Sequence, residues 1–426
     1  MSTSESALAG AVSRWPRRYT VVGLCFLAVF VCYIDRVNIS VAALAMQEEF
    51  GWNETTKGYV LSSFFIGYML FMAPSGWIAN RIGGLGLAVL WWSLFTLITP
   101  AAAFVSLPLL IIARIAMGCG EAAMFPAAYN IYGRWVLPAE RSRAVSLLIS
   151  GIPLGTLFAL TTTGWIIARY GWPAVFYVFG ATGFVWTAVW FFQIRNSPAD
   201  DAKVSPAELA LLQQQTTEHD EKPPVPWRKL LSSPAVWALF INHFCSNWVL
   251  YMLLAWLPSY FRGQLGLSIA NAGLYSAAPW LTMFVVGILA GWFADGMVKR
   301  GISITAVRKI MQTIGLLGSA LFMLLARDVD SPTTAMLLMC GALGAASFTW
   351  SGFVPNHLDI APRYADVLMG ITNTAGTVPG IIGVALTGWL VDATGTYSAA
   401  FTLVAAINVF GALVWLAFAT GERVID

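Results

Sequence analysis

Charged side chains are scarce in this chain of 426 residues. Only 11% of the residues are Asp, Glu, Lys or Arg, whereas about a quarter are charged in an ordinary soluble domain. Hydrophobic residues make up 58% of the chain. This composition excludes a soluble globular protein and predicts a polytopic membrane protein.

Three further shortages exclude other classes of protein. The net charge is only +3, and the basic residues are dispersed among loops, so the stripe that binds nucleic acid is absent. The sequence has three histidines and no Cys or Ser beside a base, which argues against a membrane-embedded enzyme and predicts no metal or other cofactor. The five cysteines lie in apolar runs, which indicates packing and neither disulfides nor a zinc site.

Apolar windows of about twenty residues predict twelve membrane-spanning helices. They are 19–45, 56–80, 84–105, 107–135, 142–168, 173–194, 235–261, 270–295, 305–326, 332–357, 365–390 and 398–420. The predicted organisation is an N-terminal tail (1–18), a six-helix half (19–195), a linker (196–234), a second six-helix half (235–420) and a C-terminal tail (421–426). Within the linker, residues 205–215 predict a short amphipathic helix.

The basic loop residues predict the orientation in the membrane. Lys57, Arg169, Arg262 and Arg327 lie on one side, and most of the other Lys and Arg residues lie on the side of the two tails. By the positive-inside rule, both termini and the linker are cytoplasmic. We expect a multi-pass protein of the cell membrane, specifically of a bacterial inner membrane.

Two short motifs each occur once in both predicted halves. The run 76–81 (Gly-Trp-Ile-Ala-Asn-Arg) follows the second span, and the run 291–295 (Gly-Trp-Phe-Ala-Asp) follows the eighth, with Arg300 just beyond. A second pair is Gly164-Trp165 and Gly388-Trp389. Repeats at corresponding places predict two similar halves with a substrate site between them, near the membrane midplane.

Four charged residues fall inside predicted spans: Asp35, Arg36, Arg114 and Glu121. An ionisable group at membrane depth costs a few kcal/mol, so it usually faces a partner or a water-filled cavity and marks a transport or proton pathway. The rise per residue places Asp35 and Arg114 at a similar level and Glu121 about 10 Å farther along its helix. An Asp35–Arg114 pair is therefore possible, while Glu121 has no obvious static partner. We predict that Asp35 and Glu121 carry protons; a static ion pair that fixes two helices is the alternative.

Arg36 is the predicted anchor of an anionic substrate. Its guanidinium group is a planar fork of donors that suits a carboxylate, and neighbouring helix residues such as Asp35 point about 100° away. An unpaired cation in a cavity favours an anion. Further candidates are polar or aromatic residues in the second half, for which helix packing is the alternative role: Asn247, Tyr251, Trp350, Ser351 and Asn373.

Several motifs in order along the chain resemble a known family. They are Tyr33 to Ser40, Arg114 with Gly118 and Glu121, Phe125-Pro126, Trp135, Pro138 with Glu140 to Arg143, Trp256 to Phe261, and Asn356 with Asp359 to Pro362. With the twelve spans and the repeated glycine motif, the chain resembles the major facilitator superfamily, and within it the anion:cation symporter family. That family includes bacterial transporters of sugar acids and aromatic acids and relatives of sialic acid and vesicular glutamate carriers.

The resemblance implies an all-α major facilitator fold and roles for particular residues. Asp35 and Glu121 match the proton-coupling positions, with Arg114 beside them, and Tyr33, Tyr68 and Asn373 match substrate positions. The gate motif is represented by Gly76, Asn80, Arg81, Gly291, Asp295 and Arg300. Asn80 departs from the family, which usually has Asp there, and this weakens the charge contact of the gate in the first half.

These observations predict a proton-coupled symporter that imports a small organic anion by alternating access. The expected substrate is a sugar acid such as a hexonate, hexarate or hexuronate, and the expected functional state is a monomer in the lipid bilayer. The alternatives are an organic-anion uniporter or exchanger, and a proton symporter of aromatic carboxylates such as phthalate. A non-transporting nutrient sensor is a further class, but such proteins usually carry long added tails.

Overall fold

The structure is a computed structural model that describes residues 15–82, 84–195, 197–214 and 225–425, without the side chains of residues 73, 76–82, 142 and 214. The predicted tail residues 1–14 and 426, and residues 196 and 215–224 of the predicted linker, lie outside this description. In the described ranges all regular structure is helical, and no strand is present. This confirms the predicted all-α class.

The helices are α1 (Arg17–Phe50), α2 (Glu54–Ile82), α3 (Leu85–Val105), α4 (Leu107–Glu121), α5 (Met124–Trp135), α6 (Arg141–Tyr170), α7 (Trp172–Gln193), α8 (Pro206–Gln214), α9 (Trp227–Ser232), α10 (Pro234–Ser259), α11 (Ile269–Lys299), α12 (Ile304–Leu325), α13 (Pro332–Ala346), α14 (Thr349–Ile360), α15 (Ala365–Thr394) and α16 (Ser398–Phe418). Short helical turns lie at Pro138–Glu140, Pro198–Asp200 and Pro362–Tyr364, and α10 continues as a π-helical turn, Tyr260–Gln264.

Eleven helical segments of the described chain are long and apolar enough to cross a membrane. Two of them combine consecutive helices, α4 with α5 and α13 with α14. The helix α2 is not among the eleven, but its 29 residues extend about 43 Å at 1.5 Å per residue, which exceeds the membrane core of ~30 Å. With α2, the segments correspond to the twelve predicted spans.

In the two spans that combine consecutive helices, a proline leaves a backbone carbonyl group without its usual helical donor. Pro126 has no N–H group for the carbonyl of Ala122, four residues earlier, and that carbonyl accepts a hydrogen bond from Ser75 Oγ at 3.1 Å. Pro355 likewise frees the carbonyl of Ser351, which accepts from Arg308 Nη1 at 3.1 Å. Each freed carbonyl therefore finds a donor on a neighbouring helix.

The short helix α8 coincides with the amphipathic helix predicted at 205–215. Its Glu208 side chain caps the start of α1, because Oε2 accepts from the Arg17 backbone N–H at 3.0 Å and Oε1 from that of Arg18 at 3.1 Å. The Arg18 side chain also pairs with Glu208 and Glu140. A carboxylate at a helix N-terminus satisfies otherwise unpaired N–H groups. The linker residues 197–214 are therefore attached to the first helix.

The chain forms two compact units. Unit 1 comprises the described residues within Met1–Arg36, Gly67–Thr156 and Phe176–Lys222; unit 2 comprises those within Val37–Ile66, Leu157–Val175 and Pro223–Asp426. Unit 2 thus groups parts of α1, α2, α6 and α7 with the helices that follow the linker. The predicted division into two six-helix halves stays a prediction.

Candidate functional site

A buried ion pair joins α1 to α4 in unit 1. Arg36 Nε donates to Glu121 Oε2 at 2.9 Å, and Nη2 lies 2.9 Å from the same oxygen. The Glu121 side chain is fully buried, and that of Arg36 is 5% exposed. The expectation that Arg36 is unpaired and that Glu121 has no static partner is therefore wrong.

The direction of the side chains explains this pairing. Side chains of a helix lean toward its N-terminus, so Arg36 leans back toward Cys32, one turn earlier on α1. The rise per residue alone places the Cα atoms of Arg36 and Glu121 about 10 Å apart in depth. The long arginine side chain spans this separation and reaches Glu121, the last residue of α4.

Two tyrosine rings enclose the Arg36 guanidinium group. Its central carbon lies 4.8 Å from the ring centre of Tyr33 and 4.8 Å from that of Tyr68. Nη1 is also 3.4 Å from the Tyr33 hydroxyl oxygen. Cation–π contacts of this kind hold a guanidinium group without neutralising its charge. The structure thus brings Tyr33, Tyr68 and Arg36 together, as the sequence predicted for a substrate site.

Cys32 is a neighbour of Glu121 that the sequence reasoning assigned only to packing. Its thiol donates to Glu121 Oε2 at 3.2 Å. The other oxygen, Oε1, is buried and has no hydrogen-bond partner among the residues that the structure describes. The spacing of Cys32 and Arg36, four residues apart on one helix, was the available signal, because such residues share a helix face.

Asp35 lies on another side of α1 and is fully buried. Neither of its carboxylate oxygens has a hydrogen-bond partner within the described ranges. Glu121 and Arg114 are its charged neighbours, and the Trp92 side chain is a nearby donor. Arg114 is 1% exposed, and its Nη1 lies 3.0 Å from Met117 Sδ. The predicted Asp35–Arg114 pairing stays a prediction, supported by this proximity.

The predicted substrate residues of the second half lie on three helices of unit 2. Asn247 Nδ2 donates to the Gly376 carbonyl at 2.8 Å, which places this amide one turn from Asn373 on α15. The Tyr251 ring lies 4.5 Å from that of Phe65. Trp350 and Ser351 begin α14, and the Trp350 side chain is 40% exposed. Asn247, Tyr251 and Asn373 are thus associated with α10 and α15, whereas Trp350 and Ser351 lie on a different helix.

The residues of the predicted gate motif are only partly described. Gly291 and Asp295 lie in the last part of α11, and Arg300 caps that helix. Asp295 and Arg300 are exposed. The side chains at Gly76, Asn80 and Arg81 lie outside the description, so their role in a gate stays a prediction.

A polar cluster in unit 2 lies on the side of the membrane where α1 ends and α2 begins, which we call the distal side. The Asp392 carboxylate of α15 accepts from the backbone N–H groups of Glu54 and Thr55 at 3.0 and 2.7 Å. It therefore caps α2. Lys57, only 1% exposed, contacts Glu54 and Gln47 at 2.7 Å each. From the sequence, Lys57 was placed at the membrane surface, at the start of the second predicted span, and Asp392 was given no role.

Glycines permit close helix contacts on the same distal side. A Cβ atom at Gly388 of α15 would overlap the Glu54 carbonyl oxygen of α2, and one at Gly164 of α6 would lie 2.7 Å from Ala270 Cα of α11. These are the glycines of the repeated Gly-Trp pairs. Segments from before and after the linker are therefore in direct backbone contact within unit 2.

The fold and its charged site are matched by a family model. Residues 25–383 match the model of the Major Facilitator Superfamily. The chain belongs to the Major Facilitator Superfamily. This match covers most of the chain and includes Asp35, Arg36, Arg114 and Glu121.

Solved structures of this superfamily share the fold. A bacterial homolog of the human lysosomal transporter Spinster, in an inward-facing and occupied conformation, has a TM-score of 0.75 with 18% sequence identity and covers 95% of this chain and 97% of its own. A D-xylose-proton symporter has a TM-score of 0.72 with 18% identity, over 95% and 99%. These values confirm the predicted major facilitator fold.

Curated relatives place the chain among anion transporters of the superfamily. "Probable anion transporter 4, chloroplastic" of Oryza sativa subsp. japonica is 43% identical over 99% of this chain and 73% of its own length. "Sodium-dependent phosphate transport protein 1, chloroplastic" of Arabidopsis thaliana is 43% identical over 97% and 81%, and "Ascorbate transporter, chloroplastic" of the same plant is 42% identical over 97% and 77%. The predicted resemblance to a family of anion transporters is confirmed, and with it a multi-pass membrane transporter. A bacterial inner membrane and cytoplasmic termini stay predictions.

Proposed function

We propose that this transporter is a proton-coupled symporter that imports a small organic anion by alternating access. The observation that carries the proposal is the buried Arg36–Glu121 pair, in which Arg36 also contacts the rings of Tyr33 and Tyr68. A buried ion pair is strongly destabilised when one partner is removed, by about 3–5 kcal/mol. Arg36 therefore needs another anion whenever Glu121 is neutralised.

Proton binding and anion binding are linked through this pair. A carboxylate substrate can take the place of Glu121 on Arg36 if Glu121 accepts a proton. The exchange replaces one carboxylate by another, so the guanidinium group keeps a partner and the buried charge stays balanced. When the proton leaves, Glu121 again competes for Arg36 and the substrate is released.

Asp35 is the proposed second proton carrier. Its two buried oxygens have no hydrogen-bond partner within the described chain, and an isolated buried carboxylate is costly unless it is neutralised. Arg114 is its nearby cation. Protonation of Asp35 would change the surroundings of Arg114 and so favour the rearrangement of α1 against α4.

The substrate class we propose is a sugar acid. The relative named for ascorbate supports this class, because ascorbate is the anion of a sugar-acid lactone and combines one negative charge with several hydroxyl groups. Arg36 fits the charge. Hydroxyl groups need donors and acceptors, which Tyr33 and Tyr68 offer beside Arg36 in unit 1.

Uptake into proteoliposomes tests this proposal. A panel of labelled sugar acids, dicarboxylates and aromatic acids would be measured with and without an inward proton gradient. We expect one class of carboxylate to accumulate only with the gradient. Glu121→Gln should abolish proton-driven uptake and leave substrate exchange. Loss of both activities, or of neither, would contradict the role of Glu121, and gradient-independent uptake would favour a uniporter or exchanger.

Sodium-driven phosphate transport is a second candidate, favoured by the Arabidopsis relative named as a sodium-dependent phosphate transport protein. Arg36 suits a phosphate as well as a carboxylate. The same vesicles, loaded with a sodium gradient at equal pH on both sides, separate the two candidates. Phosphate accumulation that requires sodium would replace the sugar-acid proposal.

A further inference from the structure

The two oxygens of Glu121 have different surroundings. Oε2 accepts from Arg36 Nε at 2.9 Å and from the Cys32 thiol at 3.2 Å. Oε1 is buried and has no hydrogen-bond partner in the described part of the chain. A proton that binds this carboxylate therefore meets one oxygen that is already occupied by donors and one that is not.

One face of α1 supplies both donors. Cys32 and Arg36 are four residues apart, so they lie one above the other on the helix, and both contact the same oxygen. Cys32 is fully buried, which keeps water from competing for its thiol. A thiol is a weak donor, but a hydrogen bond to an ionised acceptor is stronger than one to a neutral acceptor.

We propose that Cys32 is a positioning residue for Glu121, whose thiol holds Oε2 of the ionised carboxylate and leaves Oε1 as the oxygen that takes the proton. The inference rests on the proposed function, in which Glu121 carries the coupled proton. Because the thiol binds the ionised form more strongly, Cys32 also sets the pH at which coupling occurs.

Other charged and titratable groups also act on Glu121. They come from three helices and are Asp35 and Arg36 on α1, Tyr68 on α2 and Arg114 on α4. A substitution of Cys32 leaves all of them in place. A change in the pH dependence is then attributable to the thiol.

The first test is the pH profile of proton-driven uptake in proteoliposomes. Cys32→Ala removes the donor to the ionised carboxylate, so the midpoint should move to higher pH by about half a unit to one unit, the size expected for a weak hydrogen bond to a charged group. Cys32→Ser keeps a donor, so its midpoint should stay at or below that of the unsubstituted protein.

Cys25→Ala is the matched control. Cys25 lies two turns earlier on α1 and is equally buried, and it packs in an apolar cluster of unit 1. Its substitution removes the same atoms from the same helix without changing the surroundings of Glu121. We expect an unchanged midpoint. A shift as large as that of Cys32→Ala would overturn the proposal, because helix packing would then explain both.

Infrared spectroscopy of the purified full-length protein gives a readout that does not depend on transport. The S–H stretching band that disappears in Cys32→Ala reports the thiol, and the carboxyl C=O band that disappears in Glu121→Gln reports the protonated acid. We expect the S–H band to move to higher frequency as the C=O band appears, because a neutral acid binds the thiol less strongly.

The outcomes separate the two proposals. If both bands change together while uptake is indifferent to the proton gradient, the proposed symport fails and the role of Cys32 stands. An S–H band that does not respond when Glu121 is protonated, together with an unshifted uptake midpoint in Cys32→Ala, overturns the role of Cys32.

Discussion

Arg36 is shared between a glutamate, two tyrosine rings and, in our proposal, a substrate. A planar guanidinium group can face a carboxylate with its edge while its faces contact rings. This geometry explains how one buried cation keeps its charge and still presents donors to an incoming anion. A lysine at this position would keep the charge but lose the planar fork of donors.

The substitution Arg36→Lys tests this use of geometry. Lysine keeps the charge but loses the planar fork, so we expect the apparent affinity for the transported anion to fall by about tenfold or more, equivalent to ~1.4 kcal/mol. Binding to the purified protein, measured by titration calorimetry, provides the value. Arg262→Lys is the control, because Arg262 pairs with Glu48 at an exposed position and should bind the anion normally.

The sequence predicted which charges lie within the membrane spans but not how they pair. Their presence in apolar runs was enough to select Asp35, Arg36, Arg114 and Glu121. Helix rise gives the depth of each Cα atom, but it gives neither the rotation of the helix nor the lean of a long side chain. Arg36 was therefore predicted to have no charged partner, and the contact between Cys32 and Glu121 was not predicted.

At the scale of helices, the distal contacts depend on glycines, which have no side chain. Gly388 of α15 faces the backbone of Glu54 at the start of α2 so closely that a Cβ atom would overlap it. The arrangement of α2 against α15 is therefore possible only with glycine at this position. A closed distal side is one of the states that alternating access requires.

Gly388→Ala should prevent the distal closure. We expect the initial uptake rate to fall by about tenfold or more while substrate binding is retained, because one state of the cycle becomes inaccessible. Gly370→Ala on the same helix is the control, since nothing lies within 4 Å of a Cβ atom there. Equal effects of the two substitutions would show that helix propensity, and not contact, is responsible.

The cap provided by Asp392 predicts a measurable change at the start of α2. Asp392→Ala removes the acceptor of two backbone N–H groups, which costs about 1 kcal/mol and should speed hydrogen exchange in residues 54–57 about fivefold. Asp392→Asn keeps an acceptor oxygen and should exchange more slowly than the alanine variant. Unchanged exchange in Asp392→Ala, measured by mass spectrometry, would contradict the capping role.

Helix positions were largely predictable, whereas contacts between helices were not. Apolar windows identified all the spans because bilayer thickness sets their length. The windows ended early at polar residues, so α1 continues to Phe50 beyond the predicted 45. Lys57 was placed at the membrane surface because of its charge, although it is buried in α2. Hydropathy does not report whether a charge has a partner.

At the scale of the whole carrier, the buried charges determine how voltage acts on transport. Arg36, Arg114, Asp35 and Glu121 together have no net charge when all are ionised. In our proposal, a monovalent anion moves with two protons and adds one positive charge to this set. We therefore expect a membrane potential that is negative inside to stimulate uptake, because each charge that crosses gains about 2.3 kcal/mol per 100 mV.

Potassium gradients with valinomycin in proteoliposomes measure this effect. Asp35→Asn removes one proton site, so any remaining uptake should be carried with one proton and lose its dependence on voltage. Voltage-independent uptake by the unsubstituted protein would mean that only one acid carries a proton.

The chemistry of the distal contacts determines how they respond to ionic strength. The Glu48–Arg262 pair is 58% and 39% exposed, so it contributes less than ~1 kcal/mol and is screened at the ~8 Å Debye length of physiological salt. The Gly388 and Gly164 contacts are short-range packing that salt does not screen. We therefore expect these glycine contacts of the distal side to hold equally well in dilute and in saline media.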